Sequence, residues 1–217
     1  MKLLKSLILK SKEKIELYKI QAQSNSPKNI LITGVFHGEE PQGYFAIKDF
    51  FFDKENNFYS KNNIYIIPCL NPDGMKKNIR NNSNGVDLNR NFPTKNWQKT
   101  VKNSEYYGGE FPSSEKETIF MTDIIKEINP DFILTLHSPY AVVNYDGDAI
   151  NEAQKISEFT LYPVQKDIGY PTPGSFGTYC GIERNIPTVT LEFNDKEDID
   201  KIIDKSSKIF EWLMRDY

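Results

Sequence analysis

Apolar runs of strand length alternate along this chain with segments of helical period. Residues 29–36 (NILITGVF) are almost unbroken in apolar character and predict a buried strand. Residues 41–53 follow with Tyr44, Ile47 and Phe51 at helical spacing. Residues 63–69 (NIYIIPC) predict a second strand. The stretch from Asn71 to Gly109 is polar and rich in Asn, Gly and Pro; a structureless loop of that length in a compact domain is usually functional. Ser114 and Glu117 form a capping-box pattern, opening a helix with Phe120, Ile124 and Ile128 on one face. Residues 131–137 (DFILTLH) are apolar on both faces, as in a central strand. Residues 149–159 read as a helix and 186–193 (IPTVTLEF) as a strand. A last helix, about 197–214, carries Ile199, Ile202, Ile203, Phe210 and Leu213. Strands separated by helices predict an α/β/α sandwich around a mixed, largely parallel sheet. With no repeat or linker, residues 1–217 are expected to form one domain.

Composition narrows the classes. With 38% apolar residues, 217 residues can bury a core without disulfide or metal staples. The charge is −3, from 27 basic and 30 acidic residues with scattered lysines, which speaks against a nucleic-acid partner. Cys69 and Cys180 fit no CxxC pattern and are expected to be ordinary buried thiols. The start, MKLLKSLILKSKEK, has a faint signal-like character. Lys5 interrupts its apolar stretch and no small-residue cleavage site follows, so it is read as mature protein and the location as cytoplasmic. No segment approaches transmembrane length, and no membrane partner is expected.

The candidate chemistry rests on few residues. Both histidines fall at strand ends: His37 opens HGEE after the first apolar run, and His137 closes DFILTLH. Glu192 ends another predicted strand. In open α/β sheets the ligand crevice lies beyond the carboxyl ends of the strands, so all three point to one edge. His37 and Glu40, three apart at a turn into a helix, can share a face. Two imidazoles and a carboxylate, with a fourth position open, make a catalytic zinc set. Alone, HxxE reads equally as a strand-end histidine and a helix N-terminal acid. A strand-end His137 is often a hydrogen-bonded core residue.

The segment NPDGMKKNIRNNSNGVDLNRNFP, residues 71–93, changes that weighing. Together with HGEE it resembles the zinc metallocarboxypeptidases, the superfamily of carboxypeptidase A, through NPDG at 71–74, Arg80 and GVDLNRNFP at 85–93. Residues 169–180 (GYPTPGSFGTYC) and the preceding SPYAVVNYDGDA are similar to the murein peptide amidases of that superfamily, which remove diaminopimelate from murein tripeptide during cell-wall recycling. The resemblance implies one zinc ion held by His37, Glu40 and His137, with Glu192 as general base and Arg80 stabilising the oxyanion. It also implies that Asn89 and Arg90 grip the terminal carboxylate of a small peptide. Tyr170, shortly before Gly174-Ser175, matches a mobile substrate-binding tyrosine or simply packs beside Pro171. Diaminopimelate ends in an ammonium and a carboxylate, so its pocket calls for charged groups; Asp146, Asp148, Glu183 and Arg184 are candidates by position, or solvated surface charges. The alternatives are another carboxypeptidase of the superfamily, an N-acyl amino acid deacylase, and a cell-wall peptide binding module without catalysis.

Overall fold

A computed structural model describes residues 1–53, 58–102 and 104–217. Its strands are β1 (Lys2–Ile8), β2 (Lys14–Ile20), β3 (Asn29–Gly34), β4 (Asn63–Ile67), β5 (Phe132–His137), β6 (Val142–Asp146), β7 (Val164–Gln165) and β8 (Thr188–Glu192). Its helices are α1 (Gln42–Lys48), α2 (Pro72–Lys77), α3 (Lys116–Ile128), α4 (Ile150–Thr160) and α5 (Ile199–Arg215). All the strands belong to one mixed sheet in the order β1-β2-β4-β3-β5-β8-β6-β7. The central four, β4-β3-β5-β8, run parallel. The flanks are antiparallel where β2 meets β4, β1 meets β2 and β6 meets β8. This is the expected α/β sandwich, with a parallel centre and one short parallel pair, β6 with β7, at the edge.

Strand periodicity builds the core. Ile30, Ile32, Ile64 and Ile66 face one side and join Ile47, Ile156, Phe210 and Leu213 from α1, α4 and α5. Leu31, Tyr65, Ile67 and Ile133 face the other side, against Met121, Ile124 and Ile125 of α3. Side chains on neighbouring strand positions point to opposite faces, so continuous apolar runs are what a sheet covered on both sides requires.

Four details depart from the sequence reading. The helix expected over 41–53 is α only to Lys48 and continues as a wider π-helical turn, Asp49–Asp53. That turn lets the consecutive Phe50 and Phe51 both pack on Phe210, at 5.4 and 5.1 Å between ring centroids. The capping box does not form: α3 starts after Glu115 without a side-chain cap. Ser114 instead donates to Glu115 Oε1, and Glu117 accepts from Asn82 Nδ2. The polar stretch 71–109 is not structureless; it contains α2 and a 3₁₀ turn at Leu88–Arg90. Finally, the N-terminal hairpin β1–β2 and the strand β6 escaped the periodicity reading. Cys69 and Cys180 are buried free thiols.

Candidate metal centre and substrate cavity

The site grows from aligned strand ends. Gly34 of β3 pairs with Leu136 of β5, and His137 pairs with Glu192 of β8. Val35, just past β3, has φ +55. A β-branched residue in that region costs about 1–3 kcal/mol. Donation from Asn71 N to Val35 O, 2.9 Å, helps to hold it. Phe36 then turns inward, fully buried, and stacks on the His137 ring at 5.1 Å. Next, Gly38 meets the helix that NPDG opens. A Cβ there would lie 2.0 Å from the carbonyl carbon of Gly74. Backbone therefore packs on backbone, and the two motifs fix each other's position.

His37, Glu40 and His137 are buried, and their ligand atoms all lie within 4.8 Å of one another. His37 Nδ1 is 2.8 Å from Glu40 Oε1, and His137 Nδ1 is 2.9 Å from Oε2. Two imidazole nitrogens and one carboxylate match the donor chemistry of zinc. The electrostatics agree. Burial alone would lower the His37 pKa, but the carboxylates of Glu40 and Asp87 push it up to about 9. Burial likewise opposes ionisation of Glu40, and the two imidazoles hold its carboxyl well below the usual range. Buried carboxylates facing the imidazoles make this a place that stabilises positive charge.

Asp87, fully buried, ties the parts together. Its Oδ1 lies 3.1 Å from His37 Nε2 and accepts from Asn89 N at 2.8 Å. Its Oδ2 accepts from Arg80 Nε at 3.1 Å. One carboxylate thus orients a candidate ligand, a candidate oxyanion donor and the turn that carries Asn89 and Arg90. Orienting partners of this kind tune metal ligands as much as the ligands themselves. Asn89 Oδ1 accepts from Phe176 N at 2.8 Å, which leaves its amide NH₂ as the donor for a ligand.

His37, Glu40, Arg80, Asn89, Arg90 and Glu192 line one cavity of about 230 Å³. Glu192 Oε2 is buried and lacks a hydrogen-bond partner among the described residues. Burial pushes its pKa up, against the pull of His137 and His37. The cavity continues along the sheet. Asn144 and Asp146 of β6 and Thr190 and Glu192 of β8, each pair two residues apart, line the same wall. Asp146 pairs with Thr188, four residues before Glu192, and so sits about 13 Å along the strand. Its carboxyl makes no hydrogen bond or ion pair among the described residues, and desolvation pushes its pKa up to about 6. Gly177 clears the space: a Cβ there would lie 2.1 Å from Asp146 Oδ2.

The other sequence candidates separate. Tyr170 lines the cavity, and burial followed by its hydrogen bond with Tyr140 pushes its pKa up to about 12. Asp148 is exposed. Glu183 accepts from Lys95 N, and Arg184 lies over the Tyr179 ring and donates to Tyr179 O. These three stand off the cavity, so Asp146 alone of the four reaches it. Sequence reasoning missed Asp87 and Tyr106. Asp87 carried a signal, an Asp at the N-cap position of the Asn-Arg turn; Tyr106 carried none.

Comparison with known proteins gives a consistent set of likenesses. A family model described as zinc carboxypeptidase matches residues 4–168. Murein peptide amidase A of Escherichia coli K12 is 31% identical over 166 residues, covering 70% of this chain and 68% of that protein. Murein peptide amidase A of Vibrio campbellii is 35% identical over 140 residues, covering 58% and 55%. Among solved structures, the murein-tripeptide amidase of Escherichia coli O157 superposes with a TM-score of 0.81 at 26% identity, over 94% of this chain and 89% of that one.

Proposed function

This chain belongs to the zinc carboxypeptidase family, and from that premise we propose that it hydrolyses the γ-D-glutamyl–diaminopimelate bond of murein tripeptide in cell-wall peptide recycling. The observation that carries this reading is one continuous cavity. It joins the His37–Glu40–His137 cluster and the orphaned Glu192 carboxylate to an unpaired acid, Asp146.

In this reading His37, Glu40 and His137 hold one zinc ion per chain. Bound zinc supplies Lewis acidity, lowering the pKa of water to about 7 and polarising a carbonyl. Glu192 takes a proton from the attacking water and delivers it to the leaving nitrogen. Its orphaned oxygen and raised pKa suit a group that must accept and then release a proton. Arg80, held by Asp87, donates to the oxygen that gains charge; losing one such donor costs about 10²–10³ in rate. The Asn89 amide and the Arg90 fork hold the terminal carboxylate, a task that suits the guanidinium's bidentate geometry. Tyr170 closes over the bound peptide. Asp146 meets the ammonium at the far end of the diaminopimelate side chain. No nucleic acid or membrane takes part, and one catalytic domain in the cytoplasm acts on recycled free peptides.

The clamp fixes which amide is cut. In the tripeptide the α-carboxylate of diaminopimelate lies one residue from the γ-glutamyl amide. A further D-alanine moves the free carboxylate outward by one residue, whereas a misplacement of about 1 Å can already cost roughly 10²-fold. Zinc-loaded protein is therefore expected to release diaminopimelate from L-alanyl-γ-D-glutamyl-diaminopimelate and to leave the corresponding tetrapeptide nearly intact. Mass spectrometry of both digests at equal concentration decides it. D-Alanine leaving the tetrapeptide as fast as diaminopimelate leaves the tripeptide would make the protein a broader carboxypeptidase.

A further inference from the structure

Tyr106 lies beside both cavity arginines. Its ring centroid is 5.1 Å from Arg80 Cζ and 5.6 Å from Arg90 Cζ, inside the range of about 6 Å over which a guanidinium is attracted to an aromatic face. The side chain is 45% exposed and lines the cavity. Its backbone is anchored. Tyr106 O accepts from Thr100 Oγ1 at 3.0 Å, Tyr107 N donates to Ser104 O at 3.2 Å, and Tyr107 O accepts from Asp87 N at 2.8 Å. The ring is thus presented from a loop pinned to the same turn that carries Asn89 and Arg90.

The two arginines have unequal partners. Arg80 is paired with Asp87, with Nη2 at 3.0 Å from Oδ2. Arg90 is buried and forms no ion pair among the described residues; its guanidinium donates through Nη1 to Asn89 O at 2.8 Å. A buried cation needs stabilisation. A carboxylate at that place would provide it, but would also occupy the N–H fork and compete with an incoming carboxylate. An aromatic face stabilises the cation through its quadrupole and leaves the fork's donors free.

We propose that Tyr106 is a positioning residue whose ring holds the Arg80 and Arg90 guanidiniums in the cavity while leaving the Arg90 fork open for the terminal carboxylate of the peptide. This rests on the assignment of Arg90 to that carboxylate under the proposed function.

The test measures binding without turnover. In a Glu192→Gln background, calorimetry gives Kd for murein tripeptide, for its C-terminal amide, and for the simple dipeptide benzoylglycyl-lysine. Tyr106→Leu is expected to weaken both free-carboxylate peptides about tenfold and the amide less than twofold. Tyr106→Phe should stay within twofold of the parent on all three, and Tyr106→Gln provides a second non-aromatic variant if the leucine variant folds poorly. Equal losses on acid and amide would mean a merely structural role and overturn the proposal. So would unchanged binding by both non-aromatic variants, or a phenylalanine variant as weak as leucine. If the tripeptide assignment alone is wrong, the parent's preference for tripeptide over dipeptide disappears while the dependence on Tyr106 persists on the dipeptide.

Discussion

At Asp146 the role proposed for a single side chain is set against stability. Its carboxyl is half-buried without a counter-charge among the described residues, and its pKa is pushed up to about 6 by desolvation. The sign follows from linkage. A carboxyl that holds its proton more tightly when folded stabilises the fold below its unfolded value of about 3.9, and that contribution is lost as pH rises to about 6. Asp146→Asn removes the dependence. Its stability advantage over the parent is expected to grow between about pH 4 and 6 and then level, at on the order of 2 kcal/mol. The same substitution should weaken tripeptide hydrolysis, because the amide offers no charge to an ammonium. Thermal melts of both proteins from pH 4 to 8 give the profile, and parallel curves would show that the carboxyl is not desolvated. Residue identity was legible in the sequence wherever a motif framed it, as for His37, Glu40 and Arg80. Asp146 was one of four equal candidates there. Only the β6–β8 pairing, which sets it along the wall from Glu192, singles it out. Asp87 was overlooked because its contact with His37, fifty residues away in the chain, forms only in the fold.

At the scale of elements, the parallel centre was readable because β3, β4 and β5 are buried along nearly their whole length and so written in unbroken apolar letters. The hairpin was not, since β1 is exposed at almost every position and alternates nothing. β6 is five residues long, with only Val142 and Val143 buried. The capping box failed because Glu117 has a stronger claim elsewhere, in the buried amide–carboxylate network around Asn82. What positions the loop carrying His37 and Glu40 is the seam between Gly38 and α2. Gly38→Ala would drive a methyl into the Gly74 and Met75 backbone, at 2.0 and 2.3 Å, with no flexible side chain to give way. Overpacking of this kind costs about 1–3 kcal/mol. Here the displaced segment carries both His37 and Glu40, so zinc affinity should fall by at least tenfold while the sheet stays folded. Circular dichroism together with a competitive zinc titration reads both effects. A Gly38→Ala protein with parental zinc affinity would show that the seam does not set the ligands.

Over the whole molecule, the parallel centre brings the ends of β3, β5 and β8 to one edge, and the antiparallel β6 runs back from that edge along the cavity wall. The first arrangement gathers the metal-type donors and Glu192; the second gives the cavity its length and its terminal acid. The family relation makes the chain a peptidase; the proposed zinc dependence of its reaction is the claim on which every assigned role rests. The most direct measurement follows release of diaminopimelate from murein tripeptide while zinc is stripped by a chelator and then restored in substoichiometric steps. Activity should vanish on stripping and return in proportion to added zinc, saturating at one ion per chain, with no recovery in His137→Ala. Turnover that survives complete removal of metal, or that His137→Ala restores to the parental level, would contradict the account.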